Sequence, residues 1–304
     1  MVEQRAPSEN GDRVAGLQKA FPLSLFSAKI ASVEQLLSIL QQCKTSILHG
    51  LIALAIGFAL FTLLERVFRF TVRKKPWRAV FLDLQYAFLA MLYPPFIYFI
   101  LAALFGAIAL HGAHDPGMSP FVFVMELLVL LFVRDCLIYL RHRFFHLRPV
   151  WAFHSIHHSS EDVNWISAAR FHPGENLIET TGEVLLFLGC DLIDFDPLVL
   201  SAGGLIIGFY NFFIHSNLRW TFGPLRYVFV SPVFHRWHHS DTPAAVDKNF
   251  AAMFSFIDLA FGTFYMPKGL LPETVGLPGQ ERAVHPRTFT KQLLYPFAKR
   301  RDRP

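Results

Sequence analysis

The chain has 304 residues, of which 53% are hydrophobic, 17% charged and 33 are phenylalanine, and its mean hydropathy is positive. Length alone allows one or two domains, but this composition excludes an ordinary soluble protein and places the chain in a bilayer. The net charge of +5 is carried by basic residues beside apolar runs rather than along an aromatic-rich helix, so it reads as a topology signal and no nucleic-acid partner is expected.

Cys43, Cys136 and Cys190 are odd in number and lie in or next to apolar stretches, which speaks against a disulfide framework. The absence of C-x-x-C speaks against a thiolate zinc site. Residues 1–20 read as a solvated tail without a cleavable signal peptide. From Ile30 to Leu40 apolar residues recur at helical spacing, either as an amphipathic helix at the membrane surface or as the start of the first span.

Ser46 to Leu64 is uncharged and of bilayer length, and Arg66, Arg69, Arg73, Lys74, Lys75 and Arg78 follow it, so the positive-inside rule makes this loop cytoplasmic. A second apolar region, Val80 to Leu110, is interrupted by Pro94-Pro95, and Phe121 to Leu140 forms a third. Val184 to Ile214 reads as a hairpin broken by the acidic bend DLIDFDP, after which the chain from Trp220 forms a cytoplasmic cap. GGLIIG at 203–208 lies inside an apolar run and suits close helix packing better than nucleotide binding.

Histidine carries the chemistry. His142 and His146 are four apart, and His154, His157 and His158 share the spacing i, i+3, i+4 with His235, His238 and His239. On a helix these offsets bring imidazoles to one face. His215 makes a ninth candidate, with Asn211 four residues before it. Nine imidazoles are too many for one metal and suit two. Packed together without metal they would leave polar atoms unsatisfied at about 1–3 kcal/mol each. His49, His111, His114 and His285, outside these clusters, read as ordinary interior or interfacial residues. None of the clusters contains the Glu of H-E-x-x-H, so hydrolytic zinc is disfavoured against redox-active iron and oxygen chemistry.

The segments RDCLIYLRHRFFH, VWAFHSIHHSSEDVNW, AARFHPGE and VFHRWHHSD, with the closing NFAAMFSFIDLAFGTFY, resemble the fatty acid hydroxylase/sterol desaturase superfamily of membrane di-iron enzymes. The resemblance spans roughly residues 120–266 and departs at Ala251, where the family more usually has Gly. It implies an all-α, multi-span membrane helical bundle with a cytoplasmic helical cap holding a histidine-rich di-metal site. Around that domain lie an N-terminal tail and interfacial helix (1–45), N-terminal spans (46–119) and a basic cytoplasmic tail (267–304).

It also implies that His142, His146, His154, His157, His158, His235, His238 and His239 are the iron ligands and catalytic residues, with His215 as a ninth ligand. Asn211 would act through water or not at all. Asp135 and Asp241 are placed to fix an imidazole by accepting its second N–H, or else to act as a helix-end charge or cap. Arg170 and His172 of RFHP are read as shaping the pocket in preference to the loop alone. The implied cofactors are two irons with dioxygen as co-substrate, though zinc can occupy such a site on purification because it outranks ferrous iron in affinity. The implied reaction hydroxylates, desaturates or demethylates a lipid such as a sterol or fatty-acyl lipid. A same-fold oxygenase acting on a head group or ether lipid stands as the alternative, and a non-catalytic zinc-binding protein or metal transporter as the rival class. With no flavin or nicotinamide motif, electrons would come from a separate reductase with a ferredoxin or cytochrome b5-like protein. The location would be a bacterial inner membrane or the endoplasmic reticulum, with the active site facing the cytoplasm.

Overall fold

The protein is described by a computed structural model covering residues 23–71, 75–97, 117–192 and 195–298. His111, His114 and the later part of the second apolar region lie outside the described residues, as do two residues of the acidic bend and the last six of the chain. The chain divides into two compact units, residues 1–45 and 46–304. In the first, residues 23–45 are helical. The second carries everything below.

The described residues are helical, and their only β-pairing is two isolated bridges, Arg69 with Leu218 and Ser240 with Val275. The longer helices are α1 (Leu23–Phe68), α2 (Trp77–Ala90), α3 (Pro120–Phe145), α4 (Trp151–His158), α5 (Pro173–Leu192) and α6 (Pro197–His215). A short α7 (Pro232–His238) follows. Three of these starts use one device, a polar cap followed by proline. Ser119 Oγ accepts from Val122 N (3.3 Å), Asp196 Oδ1 from Leu198 N (2.7 Å) and Ser231 Oγ from Phe234 N (3.1 Å). Each oxygen satisfies an amide that the helix cannot, and the proline supplies a preset φ where no N–H is needed.

Among the described residues three helices are long and apolar enough to cross a membrane: Ile47–Phe68, Trp77–Ile97 and Pro197–His215. The region expected as a third crossing, Phe121 to Leu140, falls in α3 but is not one of them, because α3 carries Glu126, Arg134 and Asp135. The two arms expected of the hairpin are the helices α5 and α6, but the first begins at Pro173, well before Val184, and carries Glu175, Glu179 and Glu183.

Packing brings one end of this bundle together. Glu65, near the end of α1, accepts the backbone amides of Trp165 (3.1 Å) and Asn217 (2.8 Å). Asn217 in turn pairs with Phe70 and Thr71, so the chain leaving α1 is stitched to the chain leaving α6. Gly203 on α6 faces α3 closely enough that a Cβ there would stand 2.6 Å from Leu130 Cδ2, which bears out the packing reading of GGLIIG at this glycine. Residues 267–298, expected as a tail, fold back onto the bundle, where Phe289 packs edge-on to Tyr86 and Tyr86 Oη donates to Gln292 Oε1 (3.0 Å).

Candidate metal centre

The histidines that the sequence spacing singles out are delivered by four elements. The end of α3 carries His142 and His146, α4 carries His154, His157 and His158, the last residue of α6 is His215, and α7 with its cap carries His235, His238 and His239. They assemble into two groups, His142, His146, His154, His158 and His238 in one and His157, His215, His235 and His239 in the other. Within each group, one nitrogen per ring lies within 4.8 Å of all the others. His49, His172 and His285 belong to neither.

The outer nitrogens explain which way the rings face. Nδ1 of His142 donates to the Phe250 carbonyl (2.8 Å), that of His238 to Lys248 (2.8 Å), that of His157 to Arg170 (3.2 Å) and that of His215 to Asn211 (2.8 Å). A carbonyl only accepts, so each of these rings carries its proton on Nδ1 and presents a bare Nε2 inward. His146 pairs through Nδ1 with Asp247 Oδ1 (2.9 Å), and His154 with Glu175 Oε1 (2.7 Å).

The donor set fits a metal. His157 Nε2 and His215 Nε2, both bare, face each other at 3.2 Å, and His235 Nε2 lies 2.9 Å from His215 Nε2 and 3.1 Å from His239 Nε2. Two nitrogens bound to one metal at about 2.1 Å and at right angles to each other would be about 3.0 Å apart. In the other group the buried Nε2 atoms of His146, His158 and His238 have no hydrogen-bond partner. Burial, reinforced by neighbouring imidazoles, holds His142, His154, His157, His158, His235, His238 and His239 well below the ordinary pKa, so charging a ring does not relieve the facing lone pairs of His157 and His215. A cation in each group would. Five and four imidazoles would leave six-coordinate metals one and two free positions.

One loop, residues 247–250, supplies the acceptors for three rings of the five-histidine group: the Asp247 carboxylate and the Lys248 and Phe250 carbonyls. Its backbone is strained, with φ of 55° at Asp247 and 60° at Asn249. Other residues hold it there. Asn249 Nδ2 donates to the Phe234 and Tyr265 carbonyls, and Asp258 accepts from Phe250 N (2.8 Å) and Ala251 N (2.9 Å). Asp135 accepts from the amides of Ala252, Met253 and Phe254.

The polar candidates fare differently from the histidines. Asp135 holds backbone amides rather than an imidazole. Asp241 is engaged by Arg282 (2.8 Å) and Thr274. Neither sits on a histidine ring, so the expected pairing of Asp135 or Asp241 with an imidazole does not form. Asn211 lines the cavity and serves His215 through its backbone carbonyl. Arg170 meets His157 through its carbonyl, while its guanidinium is locked by the fully buried Asp83 (Nε–Oδ1 2.6 Å).

His172 shapes the loop, accepting from Gly174 N (2.9 Å) and donating to the Leu293 carbonyl (3.1 Å), and the pocket-shaping preference is corrected for it. His285, paired with Ser155 and Pro286, is the ordinary interior residue expected. Glu175, in the same HPGE stretch, is the residue sequence reasoning passed over; it is buried, and burial pushes its pKa up to about 8. A cavity of about 380 Å³ reaches the site, lined by His142, His154, His157, His215 and His235 and by apolar residues including Leu54, Ala87, Ala90 and Met91.

Residues 127–263 match the family described as fatty acid hydroxylase. Among curated proteins the chain is similar to an ornithine lipid hydroxylase, OlsE, of Rhizobium tropici, with 29% identity over 197 residues, covering 64% of this chain and 56% of that one. It is also similar to the alkylglycerol monooxygenase of Caenorhabditis elegans, with 33% identity over 172 residues, covering 56% of this chain and 32% of that one. The human alkylglycerol monooxygenase is 33% identical over 131 residues, covering 40% of this chain and 27% of that one. The chain therefore spans about half the length of the first relative and a third or less of the others. No solved structure matches.

Proposed function

We propose that the protein is a membrane-bound, dioxygen-dependent di-iron lipid hydroxylase. The observation that carries this reading is the pair of histidine groups whose bare Nε2 atoms face one another at the spacing of metal ligands. His142, His146, His154, His158 and His238 would hold one iron, and His157, His215, His235 and His239 the other. Bound there, the two irons would supply the activation of dioxygen needed to oxidise an unactivated C–H bond.

The rest falls to the protein. The outer carbonyls keep His142, His157, His215 and His238 in the Nδ1–H tautomer, so that Nε2 is free to ligate and these rings cannot rotate away. The apolar part of the cavity lining, Leu54 of α1 with Ala87, Ala90 and Met91 of the second span, admits hydrocarbon and excludes water.

Sidedness follows from charge. Lys75, in the basic loop after α1, hydrogen-bonds Ser160 (3.3 Å) and Asn164 (3.0 Å) just past α4, so that loop and the histidines share an end. The positive-inside rule makes this the cytoplasmic face, with electrons arriving there from a separate donor protein. A lipid with a polar head or ether linkage is favoured over a sterol or plain acyl chain, because the relatives are named for ornithine lipid and alkylglycerol.

The test is metal content per chain after expression with iron, for the parent and a His157→Ala/His238→Ala variant, together with lipid profiling of cells with and without the gene. Two metals in the parent, a clear loss in the variant and a gene-dependent lipid gaining one oxygen are expected. One metal or none, unmoved by the substitutions, would sink the assignment.

A further inference from the structure

The cavity beside the histidines has a mostly apolar lining and one charged wall, where Arg134, Arg141, Glu175 and Glu179 line it. Glu175, Glu179 and Glu183 recur every fourth residue on α5 and so share a face, and Arg134 and Arg141, seven apart on α3, meet that face. Arg141 pairs with Glu179 (2.7 Å) and Arg134 with Glu183. This ladder begins at the metal centre itself, since Arg141 precedes His142 and Glu175 touches His154. It extends to Arg134, eight residues and about 12 Å along α3 from His142.

Hydrocarbon laid against such a wall would strip water from the four of these groups that line the cavity, Arg134, Arg141, Glu175 and Glu179, and return nothing. Two polar atoms there are also left without a hydrogen-bond partner, the donor Arg134 Nε and the carboxyl oxygen Glu175 Oε2, and Glu175 is only 1% exposed. The charges themselves are mutually paired, so the wall calls for hydrogen bonds more than for net charge.

Resting on the reading of the site as a lipid hydroxylase, we infer that the charged wall binds the polar head of the substrate, a lipid of little net charge that carries both a hydroxyl or amine donor and an oxygen acceptor. The head lies along Arg134, Glu175 and Glu179, next to the metals, and the tail runs past Leu54, Ala87 and Met91 toward the bilayer. Oxidation therefore falls on a carbon close to the head. A cavity of about 380 Å³ holds a head and the beginning of a chain, and the remainder stays among lipid tails.

Two probes with one dodecyl tail separate the outcomes: 1-O-dodecylglycerol, which has donors and acceptors, and dodecyl methyl ether, which has no donor. Each competes with a tail-labelled fluorescent alkylglycerol for the purified protein in detergent, without reductant, with metal content measured on the same sample. The glycerol probe should bind about tenfold more tightly, the worth of one hydrogen bond to a charged group. In Arg134→Met that preference should shrink to within about twofold, at unchanged metal content. Equal binding of the two probes to the parent, or a preference undiminished in Arg134→Met, would overturn the inference. Should that variant not fold, the product formed by the parent decides: oxygen inserted beside the head supports the head-first orientation, and oxygen at the far end of the tail refutes it. A parent lacking metal would refute the di-iron reading instead, while the binding preference would still be measurable.

Discussion

Asp258→Asn tests whether the 247–250 loop sets the affinity of one metal group without touching either metal. The carboxylate accepts from Phe250 N, Ala251 N and Thr263 Oγ1 at 2.7–2.9 Å and is wholly buried, a burial that raises its pKa above the usual carboxylate range. Asparagine keeps the shape but turns one acceptor into a donor, so at least one amide of the loop loses its partner and faces an N–H, at about 1–3 kcal/mol. Phe250 and its neighbours can escape only by moving the strained backbone, and the Phe250 carbonyl is what orients His142. Loss of such an outer partner typically weakens metal affinity 10–100-fold. The effect should fall on the five-histidine group, because the other takes its acceptors from Arg170 and Asn211. Dialysis against graded chelator, followed by metal analysis, should show the variant settling near one metal per chain where the parent holds two. Equal retention of both metals, or their joint loss from a protein that still melts cooperatively, would refute the reasoning.

Glu175→Gln should likewise lower metal affinity, by 10–100-fold, whereas His172→Asn should reduce thermal stability and leave the metal count intact, both read on the same chelator series. Gly203→Val forces a side chain into Leu130 and should cost about 1–3 kcal/mol, seen as a lower melting temperature in detergent. A Gly204→Ala control, with nothing within 4 Å of its new Cβ, should melt near the parent. Lys75 is buried, and burial lowers its pKa to about 8 from the ordinary 10.5. Between those values the unfolded chain binds more protons than the folded one, so stability gained from this group rises from pH 8 to 10.5 and is lost as pH falls through 8. Lys75→Met should flatten that slope in melting temperature, and an unchanged slope would assign it to other groups.

The metal centre was legible in the sequence to the extent that its ligands sit on helices. Spacings of three and four residues fix which imidazoles share a face, and three clusters with His215 converge as that periodicity requires. How the nine divide was not legible. His157 and His158 are adjacent yet enter different groups, because consecutive residues of a helix point about 100° apart and each ring goes to the metal group on its own side. Nor were most of the outer partners, since four of them are backbone carbonyls and carry no side-chain signature. Asp135 shows the limit of spacing: it shares a face with His142, but seven residues of helix put about 10.5 Å between them, beyond a carboxylate's reach. It acts on that histidine all the same, by holding the amides of Ala252, Met253 and Phe254 just beyond the carbonyl that His142 needs. The closing segment is thus part of the metal centre although it contributes no ligand. Because its φ values at Asp247 and Asn249 are ones that side chains resist, the loop keeps this shape only while Asp135, Asn249 and Asp258 hold it. Order at the five-histidine group therefore depends on three polar residues beyond its ligands, and substitutions there should be felt in metal occupancy before they are felt in the fold.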